Sequence, residues 1–305
     1  MKAMVFCAGL STRLRPLSEL WPKPACTVLN RPLIAFNFAL LKGIGVGEVA
    51  VNTHHLADRM ASTAKTEAQA LGLGLELSHE STLLGHGGGL KALEAWLGGG
   101  TFALLNGDFI FDLDLARVIE AHRRSGAAAT LVVQSPLPGY RPLHALSDGR
   151  LACLPGETPP SGTTPWHFTG VHIVEPAIFS GLVSGPSGIF ETGYRSLLEA
   201  GAPVRVHVDS GIWRDIQTAE SYLSTNLEAL KGRLPLARFD ALGPLAAIHP
   251  RARVDGSVEE SVIGAGAVIP AGASVRRSVV LADTELGENE GLENAIAAGG
   301  LRIRI

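Results

Sequence analysis

The first residues able to do chemistry stand directly behind the first apolar run. Residues 7–18 read Cys-Ala-Gly-Leu-Ser-Thr-Arg-Leu-Arg-Pro-Leu-Ser. Small side chains let successive backbone N–H groups turn toward one point, and such a concavity binds phosphate. Arg13 can add a planar fork of donors matched to phosphate oxygens. Pro22-Lys23-Pro24 follows, and the prolines restrict the backbone around Lys23 enough to hold its ammonium over the same site. The same residues also suit an ordinary surface loop with a solvated arginine and lysine. A second candidate is Asn106-Gly107-Asp108, where the apolar run 101–105 stops abruptly.

These loops need rigid strands before them, and the first 135 residues supply an alternation of strand and helix signals. Short apolar runs at 3–7, 48–52, 73–77, 101–105 and 128–134 read as buried strands. Between them, 33–41, 56–71 and 115–124 read as helices; Leu33, Phe36, Leu40 and Leu41 share one face of the first. This alternation predicts an α/β fold, a Rossmann-like, mostly parallel sheet covered by helices on both faces. In such sheets ligands bind beyond the carboxyl ends of the strands, which points to the loops after Cys7 and Leu105. Residues 136–167 are rich in Pro, Gly, Ser and Thr and read as short strands and an excursion over the sheet. Strands at 168–174 and 204–208 and a closing helix at 217–230 follow.

The character changes after about Gly232. Ile263, Ile269, Val275 and Leu281 are spaced six apart, with Ile248 and Val254 as an earlier pair out of phase with them. An aliphatic residue every six, followed by small residues, is the pattern of a left-handed parallel β-helix with a hexapeptide repeat. The expected division is therefore a domain over 1–232, a linker over 233–246, and a stub of about two coils over 247–305. So short a coil is expected to pack on the first domain or on another copy of the chain, which makes a homo-oligomer possible.

Composition removes several classes. The 305 residues are 46% hydrophobic and 18% charged, enough to bury a large core and too apolar for a disordered chain. A net charge of −3 leaves no basic balance for nucleic acid or an anionic membrane. No apolar stretch approaches the roughly 18 residues that span a bilayer. The apolar start is too short for a signal peptide and is followed by Arg13 and Arg15. The three cysteines, Cys7, Cys26 and Cys153, are widely spaced, and with no metal-ligand spacing they fit a reducing cytoplasm. The histidines likewise show no spacing for zinc.

The loop resembles that of the sugar-1-phosphate nucleotidyltransferases, whose form is G-x-G-T-R-[LM]-x-P-L-[TS] followed by P-K-P. Here it reads Gly9-Leu10-Ser11-Thr12-Arg13-Leu14-Arg15-Pro16-Leu17-Ser18, then Pro22-Lys23-Pro24, with Ser11 where the family has glycine. Gly85-His86-Gly87-Gly88-Gly89-Leu90 resembles the family's G-T-A-G-A-L, with His86 for a small residue. Gly107-Asp108 resembles its strand-end G-D. Glu157-Thr158-Pro159 resembles E-K-P, with Thr158 for the lysine. Trp213-Arg214-Asp215-Ile216 resembles W-x-D-[IV]-G-T, with Gln217 for the glycine. The resemblance spans roughly residues 1–230. The glycine run looks most like the muramate-phosphate uridylyltransferase branch, and the appended coil like mannose-1-phosphate guanylyltransferases.

The resemblance implies transfer of a nucleotidyl group from an NTP, UTP or GTP, to a sugar-1-phosphate, with Mg²⁺ as cofactor. It implies a nucleotide site of Ala8, Gly9, Leu10, Ser11, Thr12, Arg13, Glu80, Gly85 and Gly88. The sugar phosphate would meet Lys23, Asn106, Glu157 and Gly170. Arg13, Lys23 and Asp108 would be catalytic, and Asp108 and Asp215 would hold the metal. The nucleophile is already an anion, so catalysis would be positioning and charge neutralisation. Ser11, Thr158 and Gln217 also fit a non-catalytic nucleotide- or sugar-sensing relative.

Overall fold

The computed structural model describes residues 1–234 and 236–305; Pro235, inside the stretch expected as linker, lies outside the described residues. Nine strands form the central sheet. They are β1 (Lys2–Phe6), β2 (Glu48–Thr53), β3 (Gly74–His79), β4 (Phe102–Asn106), β5 (Ala129–Gln134), β6 (Leu143–Ala145), β7 (Leu151–Cys153), β8 (Thr164–Val174) and β9 (Val204–Val208). The path runs β7–β6–β8–β4–β1–β2–β3, and β5 lies between β8 and β9. Strands β4, β1, β2 and β3 are mutually parallel. β8 runs antiparallel to β4 and to β5, so the chain reverses direction beside the site.

β1 reads Lys-Ala-Met-Val-Phe with four of its five residues buried, because helices cover both faces of the sheet. Alternate side chains feed opposite layers. Ala3 and Val5 join Val49, Val51, Ala103 and Leu105 in a core under α1 (Leu33–Gly43), α2 (Ala57–Ala70) and the closing helix. Met4 and Phe6 join Phe102, Leu104, Leu90 and Tyr194 in the other layer. There the short α3 (Gly85–Lys91) sits. Helix α4 (Leu115–Ser125) starts on Asp114, whose carboxylate accepts from Arg117 N, and stops at Gly126 with φ 61°. The closing helix α5 (Ala219–Leu230) starts later than its apolar pattern predicts. Thr218 caps it, accepting from Ser221 N in a capping box, and so keeps residues 215–217 extended beside the sheet.

The C-terminal segment forms stacked parallel rungs. Ser257, Ser274 and Gly291 align in one ladder, and Val262, Val279 and Ile296 in another. The first strand pairing, Arg253 with Val268, is 15 residues apart, and from Ser257 on the rungs are 17 residues apart, one fewer than three hexads. The missing residue is lost at a corner where Glu260, Arg277 and Asn294 each take a left-handed conformation. Buried Ser278 closes that corner, receiving Ala295 N and donating to the Arg276 carbonyl. The expected inward position Leu281 is therefore corrected to Val280, which stacks on Ile263 and fills the coil interior with Ile269 and Val275. Leu281 turns out and packs with the α/β core instead.

The rungs sit on the α/β domain. Val262, Val279 and Ile296 share its core, and Asn30 Nδ2 donates to the Ala246 and Ile263 carbonyls at 2.8 and 3.0 Å. Within the stretch expected as linker, Phe239 is buried and meets Phe36 of α1 edge-on at 5.1 Å.

Candidate active site

A cavity of about 570 Å³ opens at the carboxyl ends of β1, β2 and β4. The loop after β1 forms its floor through Ala8, Gly9, Ser11 and Arg13. Thr12 lines an adjoining recess with Lys23 and Asp108. Buried Leu14 and Leu17 nail the loop to the core. Ser11 is held at φ 50°, ψ 42°, a left-handed conformation that glycine takes without penalty. Leu10, expected to touch nucleotide, is 42% exposed and does not line the cavity.

Lys23 lies in a tight turn between its prolines, only 7% exposed. Its Nζ is 2.6 Å from Asp108 Oδ2 and 3.8 Å from Asp215 Oδ1. The two carboxylates converge because the pair of short strands Phe109–Phe111 and Trp213–Asp215 registers Asp215 against Phe109. Ile216 N also donates to the Asp108 carbonyl. Asp108 itself is set by Gly107. A Cβ at that position would stand 2.7 Å from Cys7 Sγ and 2.9 Å from the Phe6 carbonyl, so only glycine lets the turn close on β1. Burial, then the Asp108 charge, raises the pKa of Asp215, while Lys23, Gln217 and Tyr140 oppose the rise.

Gln217 joins the two sides of the site. Its Oε1 accepts from Arg13 Nη1, and its Nε2 donates to Tyr140 OH and Asp215 Oδ2. Tyr140 OH donates to the same carboxylate at 3.0 Å. The amide thus turns its acceptor to the cation and its donors to the anion. Burial, then the Asp215 charge, pushes the Tyr140 phenol pKa up, so it stays a protonated donor.

Glu80 lines the cavity with both oxygens engaged: Oε1 accepts from Asn52 Nδ2 and Oε2 from Leu84 N. Asn52 in turn accepts from Cys7 N at 2.7 Å. This chain ties the ends of β1, β2 and β3 together and sets the start of α3, where Gly85 and His86 face the cavity. The His86 ring meets Phe6 edge-on at 4.7 Å, and desolvation holds its pKa below the usual value. Gly88, expected to touch nucleotide, is buried beneath that surface. A Cβ there would overlap the Gly185 carbonyl, so Gly88 serves helix–loop packing.

Asn106 and Gly170 both line the cavity, as does Lys23. Glu157 does not. It lies outside the cavity lining, exposed, with Oε1 on Arg195 at 3.0 Å and Oε2 accepting from Leu154 N. Sequence reasoning missed Asn52, Tyr140, Arg141 and Phe168; all line the cavity, as does Trp213 of the W-x-D motif. Tyr140 and Arg141 belong to the stretch without periodicity, and only their types carried any signal.

A loop of small residues, a buried lysine between two carboxylates and a strand-end cavity suit the binding of phosphate esters. Residues 2–138 match the family model for nucleotidyl transferase. It is 27% identical to a UTP–glucose-1-phosphate uridylyltransferase of Synechocystis over 98% of this chain and 87% of that protein. It is 28% identical to a mannose-1-phosphate guanyltransferase of Aspergillus oryzae over 73% of this chain. That match spans 63% of the guanyltransferase's own length. The fold is also that of HddC from Yersinia pseudotuberculosis, at a TM-score of 0.63 and 19% identity over 75% of this chain and 99% of that one.

Proposed function

We propose that the chain transfers a nucleotidyl group from an NTP, UTP or GTP, to a sugar-1-phosphate and releases pyrophosphate. The observation that carries this reading is Lys23 Nζ placed between Asp108 and Asp215 beside the Arg13 loop. A sugar-phosphate oxygen attacks the α-phosphorus in line, and the bond to pyrophosphate breaks. Lys23 binds both phosphates at the point of transfer, and Arg13 draws charge from the leaving pyrophosphate. Asn106 and Gly170 position the acceptor.

The donor set suits Mg²⁺ held by Asp108 and Asp215. Asp215 Oδ1 is buried with no hydrogen-bond partner. No cluster of three or more ligating residues exists among the described residues, which suits an ion that keeps waters and substrate oxygens in its shell. When bound, the ion supplies charge neutralisation on the phosphates.

The same reading assigns residues 1–232 to the transferase domain and 247–305 to a left-handed hexapeptide β-helix, supported by the 17-residue parallel rungs. A cytoplasmic setting is supported by three free, buried cysteines. No helix among the described residues is long and apolar enough to cross a membrane. One observation favours the sensing relative instead: Gln217 occupies Arg13 and Asp215 together. Pyrophosphate release, assayed across five NTPs and a panel of sugar-1-phosphates with Mg²⁺, separates the two. Release that needs one particular pair identifies the enzyme. Nucleotide binding without release with any pair identifies the sensor.

A further inference from the structure

Three cations and three carboxylates line the cavity: Arg13, Lys23 and Arg141 against Glu80, Asp108 and Asp215. Two of the cations are engaged, Arg13 with Gln217 and Lys23 with the paired aspartates. Arg141 has no ion pair and no side-chain hydrogen bond among the described residues. Its side chain is exposed, and its backbone is anchored through its neighbours. Its neighbour Tyr140 is fixed at the hydroxyl by Asp215 and Gln217. The Tyr140 ring packs edge-on against His167 at 4.4 Å and Trp213 at 5.8 Å. Pro142 stiffens the chain on the other side. Arg141 Nη1 rests against the next loop, 3.8 Å from where a Cβ on Gly156 would lie.

The site therefore presents a guanidinium whose fork of donors is unspent, on a wall fixed by its neighbour. Such a group takes a planar or tetrahedral oxyanion through paired hydrogen bonds. Without Arg141, carboxylates would outnumber cations in a cavity that has to admit two polyanions. Tyr140, Phe168 and Gly170 form the same wall, on the acceptor side in the reading above.

We propose that Arg141 is a specificity-determining anion contact for the acceptor, receiving a negatively charged oxygen group of the sugar phosphate. That group is the 1-phosphate itself or a carboxylate carried on the sugar. The inference rests on the reading of this cavity as a nucleotidyl-transfer site.

The test titrates the full chain and its Arg141→Gln and Arg141→Lys variants with two probes, a neutral hexose-1-phosphate and a hexuronic acid 1-phosphate. UTP and GTP with Mg²⁺ are titrated in parallel. Arg141→Gln is expected to weaken acceptor binding by about tenfold or more, with Arg141→Lys in between and NTP affinity unchanged. Loss confined to the hexuronic acid identifies the carboxylate; equal loss on both probes identifies the 1-phosphate. Unchanged acceptor affinity in Arg141→Gln overturns the proposal, as does a parallel loss of NTP affinity. A wild-type chain that binds neither sugar phosphate overturns it as well. Failure of the transfer reading shows separately, as nucleotide binding with no pyrophosphate formed from any pair, while the titration still reports on Arg141.

Discussion

Lys23 is the residue on which the site depends. Its ammonium neutralises two carboxylates and still faces the recess that the Arg13 loop encloses. Lys23→Ala, Asp108→Asn and Asp215→Asn are each expected to lower kcat by on the order of 10²–10³. Near-wild-type pyrophosphate release in any of them removes that residue from the machinery. Gln217 predicts a change in the other direction. In the free protein the triphosphate has to displace the amide from Arg13, and a charge-assisted bond of this kind is worth about 1.5 kcal/mol or more. Gln217→Gly should therefore tighten NTP binding by about tenfold or more in calorimetry. Weaker binding would mean that the amide holds Arg13 ready for the triphosphate instead. Ser11→Gly releases a left-handed serine and should raise stability by about 1 kcal/mol, read by denaturant unfolding.

At the scale of elements, the cavity owes its shape to close approaches between backbone segments. Helix α3 reaches its place only because Gly88 lets it touch the loop at Gly185. Gly88→Ala should cost about 1–3 kcal/mol by overpacking and tilt α3, which carries Gly85 and His86. The expected signature is a lowered Tm together with a raised KM for NTP. A raised KM for the sugar phosphate alone would contradict this account. Asn52 plays the same part among the strands, linking Cys7 N to Glu80 and so coupling three strand ends. Glu80 thus orders the backbone around it as well as lining the cavity.

At the scale of the molecule, two cores flank the sheet and the C-terminal rungs extend one of them. In the other, His172 is 2% exposed and bonded through Nδ1 to Tyr194 OH at 2.5 Å. Burial and the nearby His86 pull its pKa down to about 3. The folded pKa lies below the unfolded value, so protons bind the unfolded chain preferentially. Stability is complete above about pH 6.5 and is lost as pH falls toward 3. At pH 5 this one residue should account for about 2 kcal/mol. A His172→Phe, Tyr194→Phe double variant should lose stability less steeply between pH 7 and 5 than wild type, and an unchanged slope would sink the assignment.

Sequence alone located the main strands of the sheet and helices α1, α2 and α4, because their apolar periods reflect burial that any two-layer packing of this sheet demands; α3, built on a glycine run, has no such period. The loops of the sequence marked Arg13, Lys23 and Asp108, and the resemblance of Trp213-Arg214-Asp215-Ile216 to a family motif added Asp215. Tertiary structure alone decided which way ambiguous residues faced. Gly88 packs against a loop almost a hundred residues away in sequence. Glu157 turned from the cavity to Arg195, and Val280 replaced Leu281 inside the coil because a left-handed corner saves one residue. Tyr140 and Arg141 entered the site from a stretch with no period at all, since a loop anchored by one hydroxyl leaves no repeating pattern to read. Periodicity records which face is buried. The partners of a glycine, a carboxylate or a loop arginine are set by segments distant in the chain, and only the folded molecule brings them together.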